Sequence, residues 1–221
     1  MTATEWRVAV GDEATPVVYE PATSDAERAV FVCAHGAGGN MSDRSMLAAA
    51  NVLRARGFGL VRFNFLYKER GSGRPDPMPK LMDTIAAVVA RVRAELSPRR
   101  LVIGGRSMGG RVASMLAADG FACDALLLFA YPLHPAGQPA KLRDAHLRDI
   151  RLPVLCLNGT QDPLCRTDLM QRVVAHLNAS WRMHWLEGAD HSFHVRKSSG
   201  RSDAEVLDEV AHEVRGWVAT L

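Results

Sequence analysis

The sequence predicts an α/β domain with a mainly parallel central sheet and helices on both faces, on three observations. Short apolar runs alternate with longer stretches of helical periodicity, the order expected of strand-helix-strand units. The middle runs are apolar on both faces, as strands buried between two helical layers must be. One of them also runs directly into a serine set among glycines, in Leu101-Val102-Ile103-Gly104-Gly105-Arg106-Ser107-Met108-Gly109-Gly110.

The strands are predicted at Trp6–Val10, Pro16–Glu20, Ala29–Ala34, Leu60–Phe65, Leu101–Gly105, Ala125–Ala130, Val154–Asn158 and Trp181–Leu186. Between them, Met46–Arg56 reads as a helix that Gly57 ends, and Leu81, Ile85, Val88, Val89, Val92 and Leu96 trace one face of another. Met108, Val112, Met115 and Leu116 continue from the serine at helical spacing, and Lys141–Asp149 and Thr167–Leu177 read as further helices. The last helix opens on Ser202-Asp203-Ala204-Glu205, a capping-box pattern, and carries Val206, Val210, Val214, Trp217 and Leu221 as its apolar stripe. Tyr67–Pro79 and Arg196–Arg201 have loop composition.

At 221 residues and 48% hydrophobic content, the chain fits a single domain over residues 1–221. Its charge of +3 is spread along the chain, which argues against nucleic-acid binding. No stretch approaches the roughly 20 apolar residues of a membrane span, and Met1–Val10 lacks a secretory pattern, so a cytoplasmic location is expected. Cys33, Cys123, Cys156 and Cys165 have neither metal nor redox spacing and are expected to be free thiols. Neither a metal nor an organic cofactor is called for.

The serine segment reads as a nucleophile elbow. A strained strand-to-helix turn exposes the hydroxyl of Ser107, and side chains at Gly105 or Gly109 would collide with the turn. A serine hydroxyl needs a general base, and the base needs a partner to fix its tautomer. In sheet enzymes built around an elbow, the acid follows a later strand and the histidine comes nearest the C-terminus. Asp162 stands just past the run Val154–Asn158, and His191 follows the run Trp181–Leu186 in Glu187-Gly188-Ala189-Asp190-His191. Asp162 is therefore the acid candidate and His191 the base candidate. Asp190 is read as bracing the histidine loop, His194 as the alternative base, and Cys165 as lacking both an elbow and a base.

The developing oxyanion needs two N–H donors. The residue after the nucleophile, Met108, supplies one. The glycine-rich turn His35-Gly36-Ala37-Gly38-Gly39-Asn40 supplies the other, from Ala37 with Gly38 as the alternative. That turn lacks a Walker lysine and the third small residue of a dinucleotide fingerprint, which disfavours a nucleotide loop. His35 is read as a brace beneath the turn.

With the elbow, the acid and histidine loops and the His35-Gly36 turn, the chain resembles the α/β-hydrolase superfamily over nearly its full length. More narrowly, it resembles the small lid-less bacterial hydrolases described as dienelactone-hydrolase-like, relatives of a subunit of the eukaryotic non-specific-lethal histone-acetyltransferase complex. The stretches that carry this are His35-Gly36-Ala37-Gly38-Gly39, Arg62-Phe63-Asn64-Phe65, Gly105-Arg106-Ser107-Met108-Gly109-Gly110, Tyr131-Pro132-Leu133-His134-Pro135 and Asp190-His191-Ser192-Phe193. The resemblance implies an α/β-hydrolase fold with no cap domain, because only Tyr131–Leu152 separates the sixth and seventh strands. Dienelactone hydrolases carry a cysteine nucleophile where this chain has Ser107, which argues against their lactone substrate.

The reading is a serine ester hydrolase of the carboxylesterase or thioesterase type, acting on small acyl esters. The alternatives are a non-catalytic interaction module and a peptidase. Lys68, Arg70, Arg74, Arg196, Lys197 and Arg201 lie on two loops at the sheet's C-terminal edge, and they are expected to rim the site and favour an anionic ester. The sequence leaves the oligomeric state open.

Overall fold

The computed structural model describes residues 2–23, 28–177 and 180–221. In chain order its elements are β1 (Thr4–Val10), β2 (Glu13–Glu20), β3 (Ala29–Ala34), α1 (Arg44–Arg54), β4 (Phe58–Phe63), α2 (Leu66–Glu69), α3 (Met78–Leu96), β5 (Leu101–Arg106), α4 (Met108–Ala118), β6 (Ala125–Phe129), β7 (Val154–Gly159), α5 (Thr167–Val174), β8 (Trp181–Leu186) and α6 (Asp203–Val218). The strands form one sheet of order β1-β2-β4-β3-β5-β6-β7-β8. It is antiparallel at β1-β2 and β2-β4 and parallel from β4 through β8.

Strand alternation divides the core in two. Val30 and Val32 of β3 pack on one side with residues of α3, α4 and α5, while Phe31 and Cys33 pack on the other with residues of α1 and α6. Strands β3, β4, β6 and β7 are buried along their whole length, which accounts for their mainly apolar sequences, broken only by Arg62 in β4 and Asn158 in β7. Ser202 caps α6 through the full reciprocal capping box with Glu205.

The structure departs from the sequence reading in several places. Strand β4 ends at Phe63, because Asn64 Oδ1 accepts a hydrogen bond from the Met41 N–H and the Phe65 N–H donates to the His35 ring. The chain then turns into α2, within the stretch read as the start of a loop. Helix α5 ends at Val174, short of Leu177, and the expected loop Arg196–Arg201 contains a 3-10 turn at Lys197–Ser199.

The segment read as a helix over Lys141–Asp149 holds only a 3-10 turn at Leu147–Asp149. Tertiary bonds keep the rest irregular: the Arg143 N–H donates to the Leu133 carbonyl (2.8 Å) and the Tyr131 hydroxyl to the Arg143 carbonyl (2.7 Å). No cap domain stands between β6 and β7.

His146 of this segment lies 2.8 Å from Ser114 Oγ through Nε2. Burial, reinforced by the nearby Arg111 guanidinium, pushes its imidazole down to about 4. The folded chain thus holds His146 neutral at pH values where an unfolded chain, with the ordinary value of about 6.5, binds a proton. Its contribution to stability is present above pH of about 6.5 and is lost as the pH falls through about 4. The urea midpoint of the wild type is therefore expected to drop further across that window than that of His146→Gln. Equal drops would refute the assignment.

All four cysteines are free. Among the described residues, no helix is long and apolar enough to cross a membrane, and no group of three or more His, Cys, Asp or Glu side chains is arranged to hold a metal ion.

Candidate active site

The site lies at the C-terminal edge of the parallel strands, where β5 passes into α4. Ser107 occupies the joint with φ 51° and ψ −115°, a conformation that L-residues adopt only under constraint. Its N–H donates to the Phe129 carbonyl (2.8 Å), and its carbonyl accepts from the Arg111 N–H (3.0 Å), so both flanking elements hold the strained residue. Gly105 and Gly109 admit the turn because both back onto the end of β3, where a Cβ would lie 2.1 Å and 2.4 Å from the Ala34 carbonyl oxygen.

Three side chains from distant segments meet at this joint. His191 Nδ1 lies 2.8 Å from Asp162 Oδ2, and His191 Nε2 lies 2.9 Å from Ser107 Oγ. The carboxylate accepts, so Nδ1 carries the imidazole hydrogen and Nε2 is left to accept from the serine hydroxyl. The Asp162 side chain is 0% exposed and that of His191 23%, so the acid is sealed while the imidazole stays reachable.

Asp162 is held by more than the histidine. Its Oδ1 accepts from the Leu164 N–H (2.8 Å), and its Oδ2 also accepts from Asn158 Nδ2 (3.2 Å). Asn158 is buried and bonded both ways to the Tyr131 backbone, accepting at 3.0 Å and donating at 3.1 Å, which locks its amide. Sequence reading placed Asn158 only as a strand residue. A buried amide at the end of an apolar run, four residues before the acid, was the available signal.

The glycine-rich turn lies against the elbow: a Cβ on Gly36 would sit 3.5 Å from the Ser107 Cβ. The Gly39 N–H donates to the Gly36 carbonyl (3.1 Å), closing the turn around Ala37 and Gly38. Met108 is the first residue of α4, where the helix leaves its leading N–H groups free of intrahelical partners.

His35 is fully buried beneath this turn. Its Nδ1 donates to the Gly36 carbonyl (2.8 Å), its Nε2 accepts from the Phe65 N–H (3.1 Å), and burial pushes its imidazole below the ordinary value. A neutral ring with both nitrogens engaged is a brace.

The remaining alternatives are engaged elsewhere. Asp190 Oδ1 accepts from the Ser192 and His194 N–H groups and shapes the histidine loop. His194 pairs with Asp203 at 2.9 Å. Cys165 is buried, and burial pushes its thiol up to about 12. Of the six loop cations, Arg70 is paired with Glu13 and Asp76, and Arg201 with Glu209.

Arg106 was overlooked in the sequence. Its Nη2 donates to the His191 carbonyl and its guanidinium carbon lies 5.7 Å from the centre of the Phe193 ring, so it ties the histidine loop to the elbow.

A lid-less α/β serine hydrolase from Xanthomonas campestris superimposes with a TM-score of 0.79 at 23% identity, covering 97% of this chain and 94% of the other. An α/β serine hydrolase homologue from Coxiella burnetii gives 0.75 at 22% identity over 95% and 98%. Dienelactone hydrolase from Anabaena variabilis ATCC 29413 gives 0.75 at 18% identity over 99% and 97%. By sequence, the uncharacterized protein YfhR of Escherichia coli O157:H7 is 37% identical over 93 residues, 42% of this chain. That match spans only 31% of YfhR, so the likeness is to about a third of the relative's length. Residues 27–219 match the α/β-hydrolase domain family as a whole, and the chain belongs to that family.

Proposed function

We propose that the protein is a serine hydrolase of small acyl esters or thioesters, working as a single domain over residues 1–221 through Ser107, His191 and Asp162. The observation that carries the reading is the position of His191, bonded to a sealed carboxylate on one side and to a strained serine hydroxyl on the other.

In this mechanism His191 Nε2 takes the Ser107 proton as Oγ attacks the substrate carbonyl. Asp162 stabilises the imidazolium. The Met108 and Ala37 N–H groups receive the oxyanion of the tetrahedral intermediate. The imidazolium then protonates the leaving oxygen or sulfur, and the acyl group remains on Ser107. Water, deprotonated by the same imidazole, attacks the acyl-enzyme and releases the acid.

The lack of a cap between β6 and β7 favours short acyl groups, since an uncapped site is expected to offer little apolar surface to cover a long chain. The names of the structural neighbours, serine hydrolases and a dienelactone hydrolase, agree with hydrolysis at an acyl carbon.

A fluorophosphonate probe tests the reading. The wild type is expected to be labelled at Ser107 and Ser107→Ala to remain unlabelled. Failure of the folded wild type to label would favour a non-catalytic module on the same fold.

A further inference from the structure

Behind the histidine loop, on the sheet face covered by α1 and α6, lies a cleft of about 740 Å³ lined neither by Ser107 nor by His191. Buried side chains of Cys33, Met46, Phe129, Phe193 and Val210 make its apolar lining, and Arg106 is set among them.

Arg106 is poorly compensated for a partly buried cation. Its guanidinium makes one hydrogen bond to the described residues, from Nη2 to the His191 carbonyl, which leaves the other guanidinium N–H groups without an acceptor among them. Burial pushes its proton affinity below the ordinary value, and Asp162, Asp190 and Asp43 oppose this only through longer-range attraction. A partly buried charge without a carboxylate partner loses some hydration with no ion pair to replace it, and an arriving anion offsets that loss.

The acidic side chains on the cleft wall are already engaged. Asp43 accepts from the Asn40 N–H (2.8 Å) and from Asn40 Nδ2 (2.7 Å), while Asp203 is bonded to His194 and to the Val195 N–H. A second cation, Arg44, stands at the exposed start of α1 beside the opening.

We propose that this cleft binds an amphipathic monocarboxylate, its carboxylate on the Arg106 guanidinium and its apolar body on the Met46, Phe129 and Phe193 side chains. An apolar cavity with one convergent charge is the form of a small-ligand site, and the planar guanidinium matches a carboxylate with two parallel hydrogen bonds. The cleft is distinct from the serine site but joined to it, because the same guanidinium holds the His191 carbonyl.

Calorimetric titration with octanoate and with 1-octanol tests this without any turnover, so its outcome is independent of whether Ser107 is reactive. Octanoate is expected to bind the wild type about tenfold or more tighter than octanol, the effect of one charge-assisted pair. Arg106→Gln is expected to abolish that preference. Leu207→Trp, which fills the cleft from α6 without touching the charge, is expected to weaken both ligands. Equal binding of acid and alcohol by the wild type, or a preference that survives Arg106→Gln, would overturn the proposal. If Arg106→Gln fails to fold, undiminished octanoate binding by folded Leu207→Trp does so instead.

Discussion

Replacing His191 with glutamine is expected to lower kcat for a short-chain ester by a factor on the order of 10⁴ to 10⁶, with KM little changed. Glutamine retains hydrogen-bonding capacity near Ser107 Oγ but cannot take and return a proton, so both acylation and deacylation lose their base. The substrate contacts and the turn around Ala37 are untouched, which is why the effect falls on kcat. The fold is expected to survive, because Asp162 keeps its bonds from Asn158 Nδ2 and the Leu164 N–H. Combining His191→Gln with Ser107→Ala is expected to cost little beyond either change alone, since the two groups act in one proton transfer. Steady-state kinetics with a chromogenic acetate or butyrate ester reads both results. A kcat within tenfold of the wild type would end the case for His191 as the base.

Gly105→Ala is expected to cost about 4 kcal/mol or more, enough to consume much of the stability of a domain this size. The new methyl would lie 2.1 Å from the Ala34 carbonyl oxygen and 2.6 Å from its nitrogen, both backbone atoms. Neither strand can step aside, because Ala34 and Gly105 are register partners in the β3-β5 ladder at the centre of the sheet. The backbone at φ 140° adds a conformation that alanine rarely adopts. Gly216→Ala makes the control: it lies within α6 with open space around it, so helix propensity favours the change by up to about 1 kcal/mol. Urea denaturation of the two variants should therefore move in opposite directions. A Gly105→Ala protein within about 1 kcal/mol of the wild type would show that the joint is looser than its packing implies.

Much of the site was legible because its signals are local. The elbow is contiguous in sequence, since the strain at Ser107 demands small neighbours within a few residues. Asp162 and His191 were singled out by their positions after particular strands, and they converge on Ser107 because parallel strands deliver their C-terminal ends to one edge.

The contacts that tune these groups were less visible. Asn158 holds the carboxylate by bonding a backbone 27 residues away, and Arg106 reaches a carbonyl 85 residues away. Nor does the sequence show that, of the six cations expected to rim the site, Arg70 and Arg201 are met by Glu13 and Glu209 from other parts of the chain. Helical spacing in Lys141–Asp149 was overridden by the bonds that Tyr131 and Leu133 make to Arg143.

The sequence by itself determined the alternation of strands and helices, the two-faced burial of β3, β4, β6 and β7, the elbow and the order of serine, acid and histidine. Each of these follows from periodicity or from sterics between near neighbours, which a linear pattern encodes directly. Tertiary structure alone decided which charges are neutralised, where β4 stops, what holds Asp162, and that a guanidinium is left beside an apolar cleft. Those outcomes depend on which distant side chains arrive within hydrogen-bond range, and that distance exists only once the sheet has assembled.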